Sequence, residues 1–201
     1  MDILRDVTIT KVVISEGITE IGEQIFAAGN KIESVSLPQS LEAIGYQAFY
    51  ECKMLKTVEI PDSVTKIEER AFALCDSLEE VKLPSGLKTL SQGIFQHCVS
   101  LKEVVVPEAV KKLMDDVFVD CTGLTSVTLP EALTKIGSRC FSSAKNITTL
   151  TIPASVTSVD NYAFSGWTEE QTIIFKGKTE DYEFYYKDWN SGCKAKIVFE
   201  P

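Results

Sequence analysis

A proline recurs every 23 residues in this chain, at Pro38, Pro61, Pro84, Pro107, Pro130 and Pro153. A phenylalanine keeps the same step at Phe26, Phe49, Phe72, Phe95, Phe118, Phe141 and Phe164, and a cysteine at Cys52, Cys75, Cys98 and Cys121. A fixed period of roughly 20 to 50 residues marks a stack of repeats, in which each unit contacts only its neighbours. The chain is therefore one elongated array rather than one or two compact domains.

Aligned on the proline, a unit reads L-x-x-V-x-(I/L/V)-P-x-x-(L/V)-x-x-(I/L)-x-x-x-(A/I/V)-F-x-x-C. The third unit shows it in Leu55, Val58, Ile60, Pro61, Val64, Ile67, Ala71, Phe72 and Cys75. The alternation Val58-Glu59-Ile60 is that of a strand with two residues in and one out. Pro61 ends the strand, because it has no N–H to give to a neighbouring rung. Val64 and Ile67 predict a second short extended piece. Glu68 to Leu74 then predicts a tight helical or 3₁₀ turn that carries Phe72 inward. One unit offers about eight inward side chains, each worth roughly 1.5–3 kcal/mol when buried. Ordering its residues costs roughly 1.5 kcal/mol apiece, so a lone unit cannot fold and stacking is obligatory.

The pattern degenerates at both ends. The first unit has Ser15 at the proline position and Gly29 at the cysteine position, with Ile9 in the leading leucine slot and Ile3 in the phenylalanine register. Later, Ala144 and Trp167 stand at cysteine positions, Ile147 at a leucine position, and Ile173 and Phe175 hold the strand register without a proline. The array is expected over residues 1–175, about seven rungs stacked over roughly 35–40 Å. Residues 176–201 read as a C-terminal cap. Its segment from Glu180 to Trp189 is aromatic-rich and helix-compatible, and Ile197 and Phe199 supply one last strand. Tyr182, Phe184, Tyr185, Tyr186 and Trp189 suit closure of the open apolar end, with a carbohydrate or protein contact as the alternative.

The net charge of −9 argues against a phosphate backbone as partner, which calls for clustered Lys and Arg. No run approaches the roughly 18–20 apolar residues of a membrane span, so direct insertion is not expected. The first residues, Met1 to Val7, show no export signal.

The string Leu37-Pro38-Gln39-Ser40-Leu41-Glu42-Ala43-Ile44-Gly45-Tyr46-Gln47-Ala48-Phe49 resembles the BspA-like leucine-rich repeats of bacterial surface proteins. The resemblance covers about residues 9 to 175. It implies a right-handed leucine-rich-repeat solenoid with a parallel sheet on the concave side, short strands and 3₁₀ or helical turns on the convex side, and a cap. It also implies an interaction role, including adhesion to host matrix proteins, and a cell-surface or secreted location. The family supplies no catalytic motif and no assigned binding residues.

The residues themselves offer little catalytic chemistry. Four cysteines in a file, one rung or about 4.8 Å apart, cannot converge on a tetrahedral zinc, and their parallel side chains disfavour disulfides. They read as buried apolar fillers, as does Cys140, which leaves Cys193 as the exposed thiol. Six cysteines without visible pairing suit a reducing compartment equally, so a cytoplasmic location stays open. His97 is the single histidine, at a position held elsewhere by Glu51, Leu74 and Asp120, which marks a tolerant surface site. Asn146-Ile147-Thr148 fits a glycosylation sequon but overlaps a core position.

The outward residues of the concave strands are the better candidates. Two before each proline these run Val13, Ser36, Glu59, Lys82, Val105, Thr128 and Thr151; four before, Lys11, Ser34, Thr57, Glu80, Glu103, Ser126 and Thr149. A mixed-charge middle gives way to a hydroxyl-rich patch of Ser126, Thr128, Thr149, Thr151 and Thr172, although threonine also suits any exposed strand. The candidate binding set is Lys82, Glu103, Val105, Ser126, Thr128, Thr149, Thr151 and Thr172. The expected function is non-enzymatic binding by a monomer, without cofactor or metal, to a protein or glycan ligand. A spacer that presents another domain, or an intracellular scaffold, are the alternatives.

Overall fold

The computed structural model describes residues 8–179 and 188–201. Nine short strands follow one another as Lys11–Val13, Ser34–Ser36, Thr57–Glu59, Glu80–Lys82, Glu103–Val105, Ser126–Thr128, Thr149–Ile152, Thr172–Lys176 and Lys196–Glu200. Each pairing between them is parallel, in register at the 23-residue step, as where Lys11 lies beside Ser34 and Thr57 beside Glu80, except that the last, Thr172 beside Lys196, spans 24 residues. The molecule is a parallel β-solenoid of about eight turns, against the seven expected from the repeat pattern. Lys11–Val13 forms a rung despite Ser15, and Lys196–Glu200 adds another beyond the last proline. At about 4.8 Å per rung the nine strands span about 38 Å.

These strands form a first sheet in two parts: six strands from Lys11–Val13 to Ser126–Thr128, and three from Thr149–Ile152 to Lys196–Glu200. After six of them comes a turn closed by the proline carbonyl, which accepts the amide three residues on, as from Val64 to Pro61 at 3.0 Å and Val110 to Pro107 at 2.9 Å. The proline thus ends the strand twice over, by lacking an amide and by anchoring the turn. Two-residue strands at Glu20–Ile21, Ala43–Ile44, Lys66–Ile67, Thr89–Leu90, Lys112–Leu113, Lys135–Ile136 and Ser158–Val159 form a second sheet, also in two parts.

The third side of each rung departs from the sequence expectation. Among the described residues there is no helix and no 3₁₀ segment there. Successive tight turns, such as Gly45 to Ala48 and Gln47 to Tyr50, are broken by left-handed residues at Gln47 (φ 51°) and Glu51 (φ 58°). A helix would spend its amides within the segment. Here alternate amides leave the rung, from Gln47 to Glu69, Phe49 to Ala71 and Glu51 to Ala73, at 2.8–3.0 Å. The left-handed residues re-aim these amides, and the ladder they make offsets the cost of roughly 1–2 kcal/mol each. His97 occupies this left-handed column with Glu51, Leu74, Asp120 and Ser143, and its side chain is exposed.

The core is a file of rings. Phe49, Phe72, Phe95, Phe118, Phe141 and Phe164 are fully buried, and successive centroids from Phe26 onward are 5.2–6.1 Å apart with planes within 20°. The file ends edge-on against Trp167 and Trp189. Trp189 also meets Phe175 at 5.3 Å, and Phe199 of the last strand stacks on Phe175. The remaining cap aromatics, from Tyr182 to Tyr186, and the expected helix lie outside the described residues.

The cysteines do more than fill space. The thiols of Cys52, Cys75, Cys98 and Cys121 donate to the carbonyls of Phe26, Phe49, Phe72 and Phe95 at 3.1–3.2 Å. Each sulfur thereby satisfies a buried carbonyl of the rung before. Trp167, at the same position, donates its indole Nε1 to Phe141 at 2.8 Å. All six cysteines are free; Cys193 is half-buried and the other five are buried.

Candidate binding surface

The outer face of the first sheet is where the rung geometry presents side chains to a partner. Alternation puts Val58, Val104 and Val127 into the core and leaves the flanking residues outside. Lys82, Glu103, Val105, Ser126, Thr128 and Thr149 are exposed, and Thr151 and Thr172 are half-exposed. Register fixes their neighbours: Glu103 lies beside Glu80 and Ser126, Val105 beside Thr128, Thr149 beside Thr172, and Thr151 beside Ile174. Val105 stands 69% exposed, the counterpart four rungs on of Val13 at 64%, on a mostly polar face. The hydroxyl patch straddles the junction between the two parts of the sheet. Ser126 and Thr128 belong to the six-stranded part, and Thr149, Thr151 and Thr172 to the three-stranded part.

The depressions of this face lie nearer the N-terminus than the hydroxyl patch. One of about 370 Å³ is bounded by Thr57, Glu59, Glu80 and Lys82. A second of about 280 Å³ involves Ser36, Gln39, Glu59, Asp62 and Lys82. Of the candidate residues only Lys82 borders them. It pairs with Glu59 of the preceding rung, and this hydrogen bond raises the ammonium's pKa. Asp62 accepts from both the amide and the hydroxyl of Ser85, which lowers its pKa. Lys102 and Glu79 make a similar inter-rung pair. Such exposed pairs add little stability, but they fix the charge pattern that a ligand meets. Glu59 and Glu80 are the residues that sequence reasoning passed over. For Glu59 the signal was the opposite charge one repeat on, at Lys82; Glu80, between Thr57 and Glu103, carried none.

A sequence profile of the BspA type leucine-rich repeat region matches the chain in six copies, over residues 3–123 and 94–190. The chain belongs to this family of leucine-rich repeat proteins. Its fold is similar to a leucine-rich repeat protein from Bacteroides ovatus, with 30% identity and a TM-score of 0.80 over 93% of this chain and 48% of that one. A leucine-rich repeat protein from Eubacterium ventriosum gives 28% identity and a TM-score of 0.75 over 92% of this chain and 47% of that one. A leucine-rich cell surface protein from Faecalibacterium prausnitzii gives 31% identity and a TM-score of 0.75 over 84% and 48%. The chain spans about half the length of these three proteins. No curated protein matches it. Leucine-rich repeats of this kind are interaction modules, typically without catalytic activity.

Proposed function

We propose that the chain is the ligand-binding part of a bacterial surface protein, and that the outer face of its first sheet meets a protein or glycan, host matrix proteins among them. The observation that carries this reading is Val105, held 69% exposed between the Lys82 row and Thr128 on a rigid strand face. A solenoid presents such contacts already ordered, so association loses little conformational freedom. A surface location draws support from the likeness to the Faecalibacterium cell surface protein.

The reading is tested by retention on immobilised collagen, laminin and fibronectin. Arginine in the Thr128→Arg/Thr151→Arg variant adds bulk and charge to the face without touching the core. At least one matrix protein is expected to retain the wild type, with retention falling about tenfold or more in the variant. Equal retention of the two chains removes this face as the site, and no retention on any of the three removes matrix adhesion.

A further inference from the structure

The second sheet is broken at one place, and a groove lies over the break. In three rungs a glycine follows the second strand's isoleucine: Gly22, Gly45 and Gly137. A Cβ at Gly45 would come within 2.9 Å of the backbone of Ile21, Gly22 and Glu23, and one at Gly137 within 2.5 Å of the Met114 carbonyl carbon. At Gly45 and Gly137 the preceding rung therefore leaves no room for a Cβ on this backbone. Across three successive rungs the column holds Glu68, Ser91 and Met114 instead.

Elsewhere the amide of this column donates to the preceding rung: Gly45 to Ile21, Glu68 to Ile44, Met114 to Leu90, Gly137 to Leu113 and Asp160 to Ile136, at 2.8–3.0 Å. At Ser91 the hydroxyl takes the amide's place and donates to the Ile67 carbonyl. Lys66–Ile67 and Thr89–Leu90 accordingly belong to separate parts of the sheet.

Beside this break is a groove of about 580 Å³, within the roughly 300–1,000 Å³ of small-molecule sites. Tyr46 and Met114 give its lining apolar surface, and Thr89, Ser91 and Gln92 add hydroxyls and an amide. Tyr46, Glu69 and Gln92 occupy one position in three consecutive rungs, and so rise along the groove over about 10 Å. Lys66 and Glu68 neutralise each other in an ion pair. Glu69 makes no ion pair among the described residues, so the lining carries net negative charge.

We propose that this groove is a subsite for a short neutral oligosaccharide. A pyranose ring of the gluco type has apolar C–H faces and a rim of equatorial hydroxyls. The Tyr46 ring and Met114 suit such a face; the Gln92 amide, the Ser91 hydroxyl and the carboxylates suit the rim, donating and accepting in turn. Glu69, in a chain of net charge −9, repels acidic sugars. The site is on a different sheet from the proposed matrix-binding face, and each stands or falls without the other.

The experiment is saturation-transfer NMR with chitotriose, cellotriose and trigalacturonate, followed by calorimetric titration. At least one neutral trisaccharide is expected to bind and trigalacturonate not to. Tyr46→Ala and the milder Gln92→Ala should each weaken binding about tenfold, with unchanged circular dichroism. Thr128→Arg/Thr151→Arg should leave binding as it was. The proposal is overturned if neither neutral sugar binds, if trigalacturonate binds as well as they do, or if Gln92→Ala leaves the affinity unchanged. Loss of sugar binding in the arginine variant overturns it too, by moving the site to the first sheet.

Discussion

Replacing Phe95 by alanine is expected to cost about 3–5 kcal/mol, the range of a buried ring truncation. Phe95 is fully buried at the centre of the ring file, 6.1 Å from Phe72 and 5.9 Å from Phe118. Both neighbours lie nearly parallel to it, so no ring can swing into the space without leaving its own stack. The deletion therefore leaves a cavity that the rungs above and below both line. Phe26→Ala gives the comparison, because Phe26 is half-buried and stacks on Phe49 alone in the file. Its loss should be less than half as large. Urea unfolding of the two variants measures the difference, and a cost below about 1 kcal/mol at Phe95 would contradict its placement.

A loss of stability at alkaline pH is the second large expected effect. Burial pushes the thiols of Cys52 and Cys121 up to about 12. It also raises those of Cys75, Cys98 and Cys140 well above the ordinary value of 9.0. The folded chain keeps these protons while the unfolded chain releases them. Their contribution is thus complete below pH 9 and is lost as the pH climbs toward 12. Each buried thiol steepens the decline by about 1.4 kcal/mol per pH unit in that window. Lysines and tyrosines titrate there too, so the decisive quantity is a difference. Under reducing conditions Cys52→Ala/Cys121→Ala should show a shallower decline than the wild type between pH 9.5 and 10.5, by roughly 2–3 kcal/mol per pH unit. Identical slopes would mean that these sulfurs titrate alike in both states.

How much of this was legible in the residues follows from what a 23-residue period encodes. Side chains that face the core must recur, so Phe72, Val58 and Pro61 announced both strand and stack. The outward row was equally legible, because Val104 inward fixes Glu103 and Val105 outward. Backbone devices were not. Gln47, Arg70 and Leu74 take left-handed conformations without being glycine, for a ladder of amides that leaves no compositional mark. The predicted helical turn failed for that reason. Trp167 was readable as a degenerate cysteine position, but its indole as a substitute donor for the thiol was not. Within the candidate surface, the hydroxyl patch from Ser126 to Thr172 has the exposure that alternation predicts. The depressions around Glu59 and Lys82 depend instead on how neighbouring side chains lean, which no periodicity records. The break at Ser91 was visible only as three missing glycines, and its meaning emerged from the hydrogen bonds.

Excision of one whole repeat tests the stack most directly. Removing residues 85–107 joins Pro84 to Glu108 and returns every later residue to its register one rung lower. The shortened chain should unfold cooperatively in urea and keep its β-type circular dichroism, whereas removal of residues 85–95 alone should leave it unfolded. If the 23-residue deletion were as disordered as the 11-residue one, the rungs would not be interchangeable units sealed by their neighbours, and the account would fail.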